Sequence, residues 1–464
     1  MSRENEMKAD RWDRIYAALY FLVGYGFIYT FSSGKFGRNL AIFTAAYIAA
    51  VLSYHLKKEK KLTTESVFWA AVVAGIGIPG AFWSIMPFLQ VLALMAAAAY
   101  WTLAASGSLL GEGKTSQWIF FDLWNAGIFV PFSNFGCQLR VLLGRETQEA
   151  SEGATPEARN ATNGVTEGET HTGAAHPEEA AGAAPRSGRG KYAAGVVCGL
   201  VLTAPVLMIV LPLLSSADAG FEAALNNLGF YLSEHFLVTF LRIMFSLPVS
   251  AYLFGLAYGG INGRGTGHIH KEKVRQAGQR ARLLPDLAFY IVLGIVCLVY
   301  LAFIWMQAGY LFSAFAGIRP EAFTYAEYAR RGFFELCAIS VCNLFFLLCA
   351  GLFSERRAEE NPGLRAANTA LSALTLLLIA TAMSKLGMYI DVYGLTVNRI
   401  LPMVFMIWMA VVYVAFIIRQ RVRFPMVKIC IMTGAVLFVL LCVIPVEDCV
   451  YAYNVWARSL GLIQ

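Results

Sequence analysis

The chain has 464 residues, of which 58% are hydrophobic and only 14% charged. A water-soluble domain of this size needs more charge on its surface, so that class is excluded. The net charge of +7 does not point to nucleic acid, because the positive residues gather on one side of a series of apolar runs. Those runs are about 18–22 residues long, enough to cross a bilayer as helices. Backbone groups in lipid must bond internally, so helices are expected rather than open strands. The alternating ten-residue segments of an outer-membrane barrel are absent.

In chain order, spans are predicted at about Ile15–Phe31 and Leu40–Leu56, followed by the cluster Lys57, Lys58, Lys60 and Lys61. From Val67 to Leu110 there is no charge, and Pro79-Gly80 with Pro87 marks a hairpin between a short span, Ser66–Ile78, and a longer one, Met86–Ala105. The short span is a candidate re-entrant segment. The segment 111–144 mixes aromatics with Asp122, Asn125, Asn134 and Gln138. It reads as two interfacial helices on the cytoplasmic surface, divided at Pro131. Residues 145–191 are Ala, Gly, Glu and Thr with almost nothing large and apolar. Such a segment cannot bury enough surface to fold, so a disordered cytoplasmic linker is expected. The segment 192–464 carries seven more spans: Ala193–Leu214, His235–Tyr258, Leu287–Phe312, Thr324–Phe353, Ala367–Tyr389, Ile400–Ile418 and Met426–Val443. An amphipathic tail from Glu447 closes the chain. The expected fold is all-α, a polytopic membrane bundle of about eleven transmembrane helices.

Orientation follows from lysine and arginine placement. With the amino terminus inside, 28 of the 37 fall on the inner side, eight outside and one, Arg242, within a span. The amino terminus is therefore expected in the cytoplasm and the carboxyl terminus outside. Met1 to Arg14 carries charges of both signs and does not read as a cleavable leader.

No motif carries a reaction. Gly111-Glu-Gly-Lys-Thr115 lacks the first glycine of a phosphate loop and no strand precedes it. His268 and His270 have no carboxylate or cysteine partner in sequence, and the nine cysteines form no Cys-x-x-Cys pair, so neither a metal nor a cofactor is expected. Two polar stretches remain. Thr324-Tyr-Ala-Glu327 has the form of a capping box that opens a helix. It presents Tyr325, Glu327, Tyr328, Arg330, Arg331 and Glu335, with Gln307 upstream. Glu335 is expected below the membrane surface, with Arg242, roughly 10 Å along its own span, as candidate partner. The second stretch, Lys385 to Arg399, is expected as a tight outer hairpin with Gly394 as C-cap and Thr396 as N-cap. It displays Lys385, Tyr389, Asp391, Tyr393 and Arg399.

These stretches carry a resemblance. Gln307-Ala-Gly-Tyr-Leu-Phe312, Tyr325-Ala-Glu-Tyr-Ala-Arg-Arg-Gly-Phe333 and Tyr393-Gly-Leu-Thr-Val-Asn-Arg399 resemble a bacterial integral-membrane family catalogued as domain of unknown function 4173, with Asn454 in its closing asparagine motif. The resemblance covers about Leu200 to the end. It implies a bacterial membrane location and no activity.

Three functional classes follow. The favoured one is a regulatory or assembly component of the bacterial cytoplasmic membrane, in contact with the lipid bilayer and with another membrane protein. The second is a transporter or channel, with Pro205, Pro212, Pro248 and Arg242 along a path. The third is an enzyme on a lipid-linked or cell-wall substrate. There Arg330, Arg331, Lys385 and Arg399 would hold phosphate, and Glu327, Glu335 or Asp391 would act as base. The missing catalytic constellation leans against it.

Overall fold

The computed structural model describes residues 9–84, 86–143, 210, 214, 218, 220, 234–306, 333–356 and 360–461. The chain divides into two compact units: Met1–Lys8 with Leu143–Leu247, and Ala9–Leu142 with Pro248–Gln464. The protein is a multi-pass all-α bundle, with ten helices long and apolar enough to cross a membrane and no strand among the described residues. Ten of the eleven expected spans are present. The expected span Ala193–Leu214 lies outside the described residues but for Val210 and Leu214, and the expected linker 145–191 lies wholly outside them.

Local chemistry starts each helix. Helix α1 (Arg11–Ser32) opens with a reciprocal cap, the Asp13 amide donating to Asp10 Oδ1 (2.9 Å) and the Asp10 amide to Asp13 Oδ2 (3.0 Å). Helix α2 is Phe36–Lys57. Helix α3 (Thr64–Gly77) is capped by the Thr63 side chain and continues into a 3₁₀ turn, Pro79–Ala81. Together they form one 18-residue stretch, Thr64–Ala81, of spanning length. The structure therefore gives this short segment the length of a crossing. Pro87 is the first residue of α4 (Pro87–Ala105), where its missing N–H costs nothing.

The interfacial segment departs from expectation. Ile119–Ser133 is one continuous apolar helix, α5, and the break comes after it, before α6 (Cys137–Leu142). Pro131 does not divide the segment because a π turn, Asn125–Phe129, precedes it. A proline removes the amide that would bond to the carbonyl four residues back. That carbonyl, Gly127, accepts instead from the Tyr252 hydroxyl at 2.7 Å. One face of α5 is also buried, with Ala126 and Val130 fully enclosed, so it does not merely lie on a surface.

Helix α7 (Glu234–Asn262) begins in the first unit and enters the second at Pro248. In the second unit it packs closely on α5: a side chain on Gly255 or Gly259 would collide with the Pro131–Asn134 backbone or the Val130 side chain. After α8 (Lys271–Arg280) come α9 (Asp286–Met306), α10 (Phe333–Phe353), α11 (Pro362–Tyr393), α12 (Val397–Arg419), α13 (Met426–Val443) and the tail helix α14 (Val446–Ser459).

The second unit holds two main apolar cores. One gathers Tyr20, Tyr54, Trp101 and Phe254 from the early helices. The other gathers Leu293, Leu347, Leu371 and Tyr413 from α9 to α12. Helix α13 bridges toward α3. Trp83 Nε1 donates to the Cys442 carbonyl (2.8 Å), and any side chain on Gly75 would strike Val439. At the other end Lys428 pairs with Glu65, whose second oxygen accepts the Thr115 amide.

Candidate functional site

Helix α11 is the longest helix described, at 32 residues. Asn361 starts it by accepting from the Gly363 and Leu364 amides. It ends at Gly394, whose φ of 74° is a left-handed conformation that favours glycine. Because the helix runs to Tyr393 and not Tyr389, Lys385 sits about 12 Å before its end. This corrects the expected display of Lys385 at the outer rim: it is only 3% exposed, enclosed in the bundle.

Lower on the same helix, Asn368, Ser372 and Thr375 are all buried, at a spacing of four and then three residues. Thr375 receives the Asn343 amide (2.9 Å), and Asn343 Oδ1 accepts from the Tyr300 hydroxyl (2.8 Å). Tyr413 donates to the Ser340 carbonyl (2.5 Å) beside them. Asn368 Oδ1 is buried with no hydrogen-bond partner among the described residues. Between this polar group and Lys385 lie Leu378, Ile379 and Ala382, buried and apolar, and Thr381, buried with its hydroxyl donating to the Leu377 carbonyl. The interior thus has a hydrogen-bonded polar layer, a mainly apolar stretch with one internally bonded hydroxyl, and a buried amine in succession.

Glu335, in the first turn of α10, acts electrostatically on Lys385. Glu335 is exposed rather than sunk, which corrects the expectation of a buried carboxylate, and the cation it reaches is Lys385. Arg242 is half-buried in the part of α7 that belongs to the first unit. Gln307, Tyr325, Glu327, Tyr328, Arg330 and Arg331, with the expected capping box at Thr324, lie outside the described residues.

The second stretch folds into a latch. The Arg399 guanidinium lies 4.0 Å from the centre of the Tyr389 ring and bonds to the Gly394 carbonyl. Tyr393 packs edge-on against Tyr389, with ring centres 5.1 Å apart. Asn454 of α14 holds the loop from the other side: its Oδ1 accepts the Leu395 amide (2.7 Å) and its Nδ2 donates to the Leu395 carbonyl (2.9 Å). Asp391 and Thr396 are exposed. Thr396 occupies the expected N-cap position of α12, although its side chain makes no cap bond.

Sequence reasoning missed the polar layer and a set of charged contacts at the opposite helix ends. The polar layer's signal was available as three polar residues on one face of an apolar span. Among the charged contacts, Lys58 Nζ lies 2.7 Å from Asp13 and 2.8 Å from Asp10, and the Tyr54 hydroxyl donates to Asp13 at 2.7 Å. Burial alone would raise the Asp10 carboxyl, but hydrogen bonds from Lys58 and the Asp13 amide outweigh it and hold it below its usual value. Burial alone would lower Lys58, and the two aspartates outweigh that and raise it. Asp122 has no such cation. Its Oδ1 accepts the Leu110 amide (2.8 Å) and its Oδ2 has no partner among the described residues. Burial pushes this carboxyl up to about 6, against the lowering from that one bond.

His268 hydrogen-bonds with Ser133 Oγ at 2.8 Å, and among the described residues no cluster of three metal-ligand side chains occurs. No curated protein and no solved structure matches the chain. A family profile does match, over residues 67–462. It begins in α3, far earlier than the expected start near Leu200, and it carries a different number from the expected 4173. The match spans most of the chain, and the chain therefore belongs to the family described as Domain of unknown function (DUF4153).

Proposed function

We propose that this chain is a transport protein of the bacterial cytoplasmic membrane, with its amino terminus inside, that moves a small ion across the bilayer through Lys385. The observation that carries this reading is the burial of Lys385, 3% exposed in a membrane-spanning helix and within the electrostatic reach of Glu335. A lysine inside a spanning helix costs up to about 3 kcal/mol of insertion free energy, the full figure applying at the helix centre. Such residues mark ion or proton pathways more often than they serve packing. The mainly apolar stretch of Leu378, Ile379 and Ala382, whose one buried hydroxyl, Thr381, is taken up by the Leu377 carbonyl, supports the same reading, because it would separate Lys385 from the Tyr300–Asn343–Thr375 layer in a closed state. A regulatory or assembly role, which the sequence alone favours, gives no reason to keep an amine there. Contacts between span ends, Lys428 with Glu65 and Asn454 with Leu395, each join ends assigned to one side by the charge distribution.

The proton is the simplest ion to test. Proteoliposomes loaded with a pH-sensitive dye and driven by a potassium diffusion potential should acidify faster than protein-free vesicles. Lys385→Met should slow this about tenfold while leaving the protein monodisperse in detergent. No acidification above empty vesicles, or an unchanged rate in the variant, would overturn the assignment.

A further inference from the structure

An apolar groove of about 370 Å³ opens on the outer surface of the early helices. It is lined by Phe31 of α1, Phe36 of α2, and Phe88, Val91, Leu92 and Met95 of α4. All but Phe36 and Val91 are exposed, Phe88 the most at 83%. From Phe88 to Met95 it runs about 10 Å along α4, the length of a stretch of acyl chain. These residues lie in spanning helices, so the medium against the groove is hydrocarbon.

The end of the groove is positive. Lys35 immediately precedes Phe36, and Arg38 shares the first turn of α2. Both are exposed, and neither forms an ion pair among the described residues. Helix α4 starts at the same end. Met86 gives it no side-chain cap, Pro87 lines the groove, and the amides of Phe88 and Leu89 have no acceptor within the helix. Two exposed cations beside Phe36 and an uncapped helix start at Pro87 flank the groove through these two lining residues, and both favour an anion.

We infer that this groove binds one anionic phospholipid, with an acyl chain along Phe88–Met95 and its phosphate at Lys35, Arg38 and the start of α4. The rest of the chain is rich in basic residues, so anionic lipid will also collect elsewhere. The test must therefore count one specific lipid. Native mass spectrometry of the detergent-purified protein, mixed with equal amounts of phosphatidylglycerol and phosphatidylcholine of matched chains, reads this count. The wild type should retain one more tightly held phosphatidylglycerol per chain than K35Q/R38Q. The K60Q/K61Q variant, which removes equal charge at the opposite helix ends, should keep that lipid. Val91→Trp, which fills the groove without touching the charges, should lose it. An unchanged count in K35Q/R38Q or in Val91→Trp overturns the assignment, as does an equal loss in K60Q/K61Q.

Discussion

Asp122 shows what a single side chain can report. Its folded-state value of about 6 lies above the ordinary 3.8, because burial disfavours the charged form. A carboxyl raised in this way contributes stability at acid pH that is lost as pH rises through about 6. The Asp122→Asn variant keeps an acceptor for the Leu110 amide and never ionises. It should be more stable than the wild type by about 3 kcal/mol at pH 7 and no different near pH 3. Thermal unfolding in detergent across that range checks it, and a difference that does not vary with pH would contradict it. The Lys58 site next to Asp13 is the opposite case: there both aspartates have their cation, and the charged forms of Asp10 and Lys58 are favoured. One site lies on α5 and the other where α1 and α2 meet, and what separates them chemically is a lysine within reach.

At the scale of elements, close approaches of backbone set where the helices cross. A side chain on Gly37 would strike the Gly80 carbonyl, which belongs to backbone and cannot swing aside. Gly37→Ala should therefore cost about 2 kcal/mol or more. Gly26→Ala meets only Phe43 at 3.9 Å and should be neutral or gain up to about 1 kcal/mol from helix propensity. Melting temperatures of the two variants, measured side by side, test the contrast. The sequence announced most of these helices because twenty apolar residues in a row have few other uses. It announced the turn at Gly394 for a similar reason, since few residues besides glycine take that conformation. It did not announce the continuity of α5 through Pro131. That depends on Tyr252, more than a hundred residues away, which supplies the donor that proline lacks. Nor could it place Lys385, because four further helical residues at the end of α11 decide whether that amine is at the rim or inside. Polarity alone does not set depth.

At the scale of the molecule, the charge asymmetry makes a statement about sidedness that one residue can check. Cys449, in the tail helix, is exposed, whereas Cys137 and Cys430 are buried. In intact cells with a permeable outer envelope, a membrane-impermeant maleimide should label Cys449 in a variant whose other cysteines are serine. Labelling that requires lysis would place the tail on the inner side and reverse the assigned topology.

The pairing of Glu65 with Lys428 also sets a schedule. The two residues are 363 positions apart. At a synthesis rate of about 5–20 residues per second, Glu65 waits roughly 20–70 s for its cation. Thr115, only 50 positions on, brings its amide after roughly 3–10 s and is the first partner to arrive. During that minute the early hairpins must stay in the bilayer with an acidic residue held by one donor. A nascent chain arrested before Lys428 should therefore be cleared by membrane proteases faster than one arrested just after it.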